Sequence, residues 1–385
     1  MNYLSFFIAF GLTLYLLLVL ARVAPRLGLV DRPGGRKEHV GAVPLVGGLA
    51  MFVGFAFSIL MLQESLSPLR ALLAGASLLV IIGVLDDLHE LSSASRFAVQ
   101  IGAALMMVYW GGVELLDLGQ LVVPGSLVEL GFWSVPLTVF ATVGVINALN
   151  MVDGVDGLAG SISSLTVLAL LVVAILGADA VSAMVLGLLL ASILAFLLLN
   201  LRLPWQPRAR VFMGDAGSMF LGFVLAWYLV DFSQGEDRLI SPATALWLLG
   251  IPLNDTVTMK MRREFKRRSP FAPDREHFHH ILLHAGFSPS MTLVIMFGVS
   301  AAMVAVGLGA HYADVPESQM FYLFLLLFAA YFWMIRRAWR VMRFLKRSIN
   351  RRKQARDRRR GPDPNYTGEE RRSGSDRRGS PGGKG

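Results

Sequence analysis

Apolar runs of 15 to 20 residues recur along this chain every 20 to 35 residues as far as Met334. A bilayer core is about 30 Å thick and offers no water to unpaired backbone groups, so a run of roughly that length is stable there only as a helix. This repetition excludes water-soluble folds. Composition agrees, with 55% hydrophobic and 16% charged residues. The expected fold is therefore an all-α polytopic membrane protein. Eleven spans are expected, at approximately 3–21, 46–62, 70–85, 97–113, 133–149, 158–176, 181–199, 216–230, 239–257, 291–310 and 318–335. The first run, Tyr3 to Leu20, lacks the basic flank and small-residue cleavage site of a signal peptide and is read as a retained span.

Alternating these spans places 34 of the 36 Lys and Arg residues on one side, leaving only Arg70 and Arg238 on the other. Basic residues mark the cytoplasmic face, so the amino terminus is expected outside and the carboxy terminus inside. The net charge of +9 belongs to the end of the chain, because Arg336 to Gly385 carries 18 Lys/Arg against 5 Asp/Glu. Residues 1–346 are expected to form the membrane domain and 347–385 a disordered Arg-rich cytoplasmic tail that meets anionic lipids. Nucleic acid is not expected as a partner, since no aromatic residue stands within the arginine clusters. The chain has no cysteine, which removes disulfides, thiolate nucleophiles and Cys-ligated metals.

Ten acidic residues in the external loops, including Glu64, Asp117 and Asp231, read as solvated charges. On the cytoplasmic side the acids instead sit at the tips of apolar spans: Asp86, Asp87, Asp153, Asp156, Asp215 and Asp255. Asp86 and Asp87 end an outside-to-inside helix, where the macrodipole disfavours negative charge by about 0.3 to 1 kcal/mol. A bound cation compensates such a pair, while a solvated helix stop is the plainer alternative. Asp156 and Asp215 begin inward-to-outward spans and suit N-caps equally well. Asp153 and Asp156, three apart, share a face if helical. The glycines Gly154, Gly157 and Gly160 around them allow close approach of a ligand or simply of another helix. Hard oxygen donors of this kind suit Mg²⁺, which takes one or two protein carboxylates together with substrate phosphates. A phosphate or diphosphate substrate follows.

The segment Lys260 to Ser290 supplies complementary charge, with Arg262, Arg263, Lys266, Arg267, Arg268 and then Asp274-Arg275-Glu276-His277-Phe278-His279-His280 and His284. His280 and His284 are spaced for zinc, but there is no His-Glu-x-x-His and no cysteine to complete a site. Arginine beside protonatable imidazole reads as a diphosphate and sugar clamp, with solvated loop histidines as the plain alternative. Arg36 and Lys37, in a turn-rich basic loop, either close over the phosphates or only anchor the topology. Neither a P-loop nor a strand-embedded dinucleotide fingerprint is present.

Four segments in series now resemble a known family: Val84-Leu85-Asp86-Asp87, Asn147 to Leu158, Phe212 to Ser218, and Asp274 to His280. They are similar to the polyprenyl-phosphate N-acetylhexosamine-1-phosphate transferases, in order from about Gly28 to Phe287. The His-x-His-His pattern and the long Asn200 to Asp215 segment look like the WecA type, whereas the MraY branch carries three consecutive histidines where Phe278 interrupts them here. The resemblance implies ten or eleven transmembrane helices around a cytoplasmic cleft, in the inner membrane of a bacterium. It implies transfer of GlcNAc-1-phosphate from UDP-GlcNAc to undecaprenyl phosphate, with Mg²⁺, or Mn²⁺ in its place, as cofactor. By motif, Asp215 is implied as metal ligand, with Asp87 and Asp156 supporting it, and Asp86 as the group that contacts the lipid phosphate. Asp153 and Asp156 fall where the nucleotide-sugar binds, Asn150 and Asn200 toward uridine, and Arg275, His277, His279 and His280 on the diphosphate and sugar. The tail inherits no role, and oligomeric state stays open. Two rivals stand: another UDP-N-acetylhexosamine as donor, and an ion-coupled transporter, although the latter carries its carboxylates near mid-span.

Overall fold

The computed structural model describes residues 3–32, 41–62, 65–265 and 277–337. Arg36, Lys37, Arg275 and the whole of 347–385 lie outside the described residues. The chain begins with α1 (Tyr3–Leu27), followed by a two-residue antiparallel pairing of β1 (Val30–Asp31) with β2 (Val43–Pro44). Next come α2 (Gly47–Leu60), α3 (Arg70–His89), α4 (Ser93–Tyr109), α5 (Ser134–Val152), α6 (Leu158–Leu176) and α7 (Ala180–Asn200). The remainder is α8 (Gly214–Asp231), α9 (Pro242–Leu248), α10 (Gly250–Phe265), α11 (Phe278–Ala285), α12 (Pro289–Tyr312) and α13 (Glu317–Arg336).

Seven of these helices, α1, α3, α5, α6, α7, α12 and α13, are long and apolar enough to cross a membrane. This is a polytopic helical membrane protein. Every expected span coincides with a helix or, in one case, a pair of helices. α2 and α4 are shorter, at 14 and 17 residues.

α8 is the hub. All fifteen residues from Ala216 to Val230 are buried, as expected of a helix that is apolar around its whole circumference. Small residues let its neighbours approach to backbone contact. A Cβ on Gly83 of α3 would lie 2.3 Å from Ala216 Cα, and one on Gly48 of α2 would lie 2.0 Å from Gly217 N. On the third side, Gly222 of α8 itself packs against the backbone of Ile146 in α5. α3, α5 and α8 thus converge with little side chain between them, which sets the distances among the acids they carry. A second apolar cluster joins α9 to α12 and α13 through Trp247, Met303, Met320 and Phe324.

The expected span 239–257 is not one helix. It breaks at Leu249 into α9 and α10, and α10 continues to Phe265. Pro252 is the cause: its ring has no N–H to offer the Leu248 carbonyl four residues earlier and clashes with it in a continuous helix. That carbonyl accepts a hydrogen bond from the Thr166 hydroxyl of α6 instead, at 2.9 Å.

Candidate active site

The last turn of α3 carries Asp86 and Asp87, and their excess charge is balanced by protein groups. Buried Asp86 accepts hydrogen bonds from the Leu91 amide (2.7 Å) and from Arg96 Nη1 (2.9 Å). Asp87 turns toward α8, where its Oδ1 accepts from the Asp215 amide at 3.0 Å and its Oδ2 from the Ala216 amide at 3.5 Å. Gly214 permits this twice over, since its φ is +71° and a Cβ there would lie 2.4 Å from Asp87 Oδ2. Asp215 is therefore not the cap of α8; Asp87 is. The Asp215 carboxylate is left to accept from Asn150 Nδ2 of α5, and its Oδ2 stands 3.6 Å from Arg96 Nη1. Asn150 also reaches Ser218 Oγ at 2.9 Å. Asp86, Asp87, Asn150 and Asp215 thus form one polar cluster, with Arg96 between Asp86 and Asp215.

Asp153 and Asp156 do not share a helical face, because α5 ends at Val152 and α6 starts at Leu158. Gly157, with φ +81°, occupies the N-cap of α6 and donates its amide to Asn200 Oδ1 at 2.7 Å, while Asn200 Nδ2 donates to the Val211 carbonyl at 2.8 Å. Buried Asn200 therefore ties backbone to backbone and does not line the cluster. Asp156 caps nothing on α6. Its Oδ2 accepts from Arg202 Nε (2.7 Å) and from the Ala209 amide (3.3 Å). Among the described residues Asp153 has no such partner. Asp153 is solvent-exposed at the end of α5, and crowding by the surrounding protein, with repulsion from Asp215 and then Asp156, pushes its carboxyl up to about 7.

The imidazoles form a second group beside this connection. His277 Nδ1 donates to Asp255 of α10 at 2.7 Å, and its ring lies parallel to that of His279, with centroids 5.7 Å apart. His279 is buried against Gly154, where a Cβ would lie 2.3 Å from its Nε2. Burial, with the neighbouring His280 and His277 charges, pushes the His279 imidazole down to about 3. His279 is thus neutral near pH 7, and the expectation of a protonated clamp fails for this residue. His280 packs 4.2 Å from His279, centroid to centroid. His284 Nδ1 donates to the His280 carbonyl at 2.8 Å, so the spacing that suggested zinc is spent on the helix's own backbone. Asp255, expected among the cation-binding carboxylates, has no solvent exposure and belongs to His277.

Among the described residues no three Asp, Glu or His side chains come together as a metal cage. Of the expected set Asp215, Asp87 and Asp156, Asp87 accepts from the α8 amides and Asp156 pairs with Arg202. A Mg²⁺ ion needs only one or two protein carboxylates. Asp215 and Asp153 fit that requirement: they repel one another, and Arg96 stands 3.6 Å from Asp215. Sequence reasoning missed Arg96 and Arg202 as counter-charges. The signal was the position of Arg96, the one Lys or Arg in the segment that follows Asp86 and Asp87.

Residues 69–233 match the family described as glycosyl transferase family 4. Proteins named undecaprenyl-phosphate alpha-N-acetylglucosaminyl 1-phosphate transferase are similar over most of their length. The one from Yersinia pestis is 40% identical over 340 residues, 88% of this chain and 93% of the relative. That of Salmonella typhi is 40% identical over 347 residues, 90% of this chain and 93% of the relative. That of Haemophilus influenzae is 38% identical over 350 residues, 91% and 98% respectively.

Proposed function

The chain belongs to glycosyl transferase family 4, and we propose on that premise that it transfers N-acetylglucosamine-1-phosphate from UDP-GlcNAc to undecaprenyl phosphate. UMP leaves, and the product starts a lipid-linked glycan of the cell envelope such as O-antigen. The observation that carries this reading is the meeting of Asp86, Asp87, Asn150 and Asp215 at the ends of three helices packed backbone to backbone. α3 and α8 run in opposite directions, so Asp86 at the end of one and Asp215 at the start of the other face the same side. That side is the basic, cytoplasmic one. The eleven crossings count α9 and α10 as one, and the amino terminus is then periplasmic.

Chemically, an oxygen of the lipid phosphate attacks the phosphorus that bears the sugar, and the bond to the UMP oxygen breaks. Asp215 and Asp153 would hold Mg²⁺, or Mn²⁺, together with the diphosphate, and the ion would supply neutralisation of charge developing on the leaving oxygens. Asn150 and the Asp87-capped first turn of α8 hold the Asp215 carboxylate in place. Arg96, with its side chain 30% exposed, is the cation beside Asp86 and is placed to receive the lipid phosphate. A phosphate monoester is largely dianionic near neutral pH, so Asp86 orients this group more than it deprotonates it. The His277, His279 and His280 group, with Arg275, borders the sugar and diphosphate, and neutral His279 takes part as a hydrogen-bonding group without charge. Arg36, Lys37 and the tail then contribute electrostatic attraction to anionic ligands and lipids.

The same chemistry with another UDP-N-acetylhexosamine remains a rival. The transporter reading is disfavoured by the packing at the span broken at Leu249, where the carbonyl freed at Leu248 is satisfied by Thr166 and a Cβ on Gly250 would strike Met303 Cε at 2.2 Å. The test is transfer of label from sugar-labelled UDP-GlcNAc to undecaprenyl phosphate by purified protein, with and without Mg²⁺, with UDP-GalNAc and UDP-MurNAc-pentapeptide in parallel. Mg²⁺-dependent lipid label with UMP release from UDP-GlcNAc alone is expected. Label from a different donor reassigns the sugar, and no transfer from any of the three by folded protein overturns the reading.

A further inference from the structure

The reaction described above leaves Asp255 unused, yet Asp255 is among the most completely buried charged side chains in the protein, with no solvent exposure. Burying a lone carboxylate costs several kcal/mol unless hydrogen bonds and a counter-charge surround it. Three donors converge on it. His277 Nδ1 and the Tyr331 hydroxyl each lie at 2.7 Å, on Oδ2 and Oδ1 respectively, and the Phe278 amide reaches Oδ1 at 3.2 Å. The donors come from different elements, Tyr331 from α13 and the other two from the start of α11, so Asp255 joins three separate segments. A well-packed apolar side chain holds helices together at lower cost, so a buried, hydrogen-bonded carboxylate here is better explained by orientation than by stability.

The orientation concerns His277. An ionised carboxylate only accepts, which places a hydrogen on Nδ1 and leaves Nε2 as the ring nitrogen available to a ligand. From His277 the contacts continue through the parallel ring of His279 to Gly154. Gly154 adjoins Asp153, whose charge is coupled to that of Asp215. The tilt of one imidazole is thereby connected to the place where the acidic and histidine halves of the site meet.

We propose that Asp255 is a positioning residue for the transfer reaction: it fixes the tautomer and tilt of His277 so that Nε2 faces the incoming nucleotide-sugar, and Tyr331 secures the pair from α13. This rests on the function proposed above for the part His277 plays. Carboxylates that orient an imidazole in this way contribute about 10- to 100-fold to the activity of the site they support.

The test compares full-length wild type, Asp255→Asn and Tyr331→Phe in lipid nanodiscs. An Asn keeps an oxygen for Tyr331 and Phe278 but turns its NH₂ toward Nδ1, which forces the hydrogen of His277 onto Nε2. The expected result is a fall in kcat of about 10- to 100-fold for Asp255→Asn, with KM for UDP-GlcNAc altered by less than about threefold. The melting temperature should stay near that of wild type. Tyr331→Phe should lose less. Selective ¹⁵N-histidine labelling, with the His277 signal identified by its absence in His277→Gln, should show the Nδ1–H pattern in wild type and Tyr331→Phe and the Nε2–H pattern in Asp255→Asn. Wild-type kcat in Asp255→Asn, or an Nε2–H pattern for His277 in wild type, overturns the proposal; the second observation applies even where Asp255→Asn does not fold. If wild type transfers no sugar at all, the functional reading fails while the spectra still report whether Asp255 sets the tautomer.

Discussion

The Asp87 carboxylate caps the helix that presents Asp215, with Oδ1 accepting the Asp215 amide hydrogen at 3.0 Å and Oδ2 facing the Ala216 amide at 3.5 Å. A negative group at the positive end of α8 thus sits at the negative end of α3, and the gain at one macrodipole offsets the cost at the other.

Removing this cap should loosen α8. Asp87→Ala should destabilise the protein by about 0.5 to 2 kcal/mol, the usual cost of losing a helix cap, and Asp87→Asn by less, because the amide oxygen still accepts. Thermal unfolding in detergent measures both, and equal melting temperatures for the two variants would show that Asp87 does not cap.

Asp86→Asn and Asp215→Asn should each reduce transfer at least 100-fold while the protein stays folded and inserted, since each replaces a charge that the substrate phosphates and the metal act on. Arg96→Gln removes the cation between them and should lower kcat at least tenfold. Sugar transfer together with size-exclusion profiles checks all three; near-normal turnover in both Asp variants sinks the site.

Asp153 gives a pH signature. In the folded protein it holds its proton up to about pH 7, whereas an unfolded Asp releases it near pH 3.9. Between these values the folded state binds more protons than the unfolded one, so stability falls as pH rises through that window and levels off above it. Asp153→Asn lacks this loss. In metal-free buffer the variant and wild type should melt together near pH 4, and the variant should melt higher at pH 8. A constant difference across the range would show that Asp153 titrates as it does in water.

Two glycines should behave differently. At Gly83 an added Cβ meets the Ala216 backbone at 2.3 Å, which only a helix displacement relieves, at about 1 to 3 kcal/mol or more. At Gly154 it meets the end of the His279 side chain rather than backbone. Gly83→Ala should lower both melting temperature and activity; Gly154→Ala should lower activity with little change in melting. Unimpaired transfer by Gly154→Ala would remove His279 from the site.

Much of this was legible in the sequence because period and polarity are local properties. The apolar runs located the helices, and acids at the span tips on the basic side located the cluster at Asp86, Asp87 and Asp215. The partners of those acids were not legible. That Asp87 serves the α8 amides depends on α3 and α8 meeting at Gly83 and Ala216, 133 positions apart in a sequence that names neither as a neighbour. Asp255 looked like another tip carboxylate because nothing local announces that Tyr331 and His277 fold over it. Pro252 did announce the break in the ninth span, and length alone hid it.

Among the elements described, α8 is unusual in presenting no surface to the surrounding lipid from Ala216 to Val230. Bilayers differ in thickness, and helices that touch acyl chains adjust by tilting or by drawing the membrane inward. α8 has no such contact to respond through. The carboxylate of Asp215 is thereby referenced to the protein interior, and the depth at which chemistry occurs is set by packing against α2, α3 and α5 rather than by the thickness of the membrane around it.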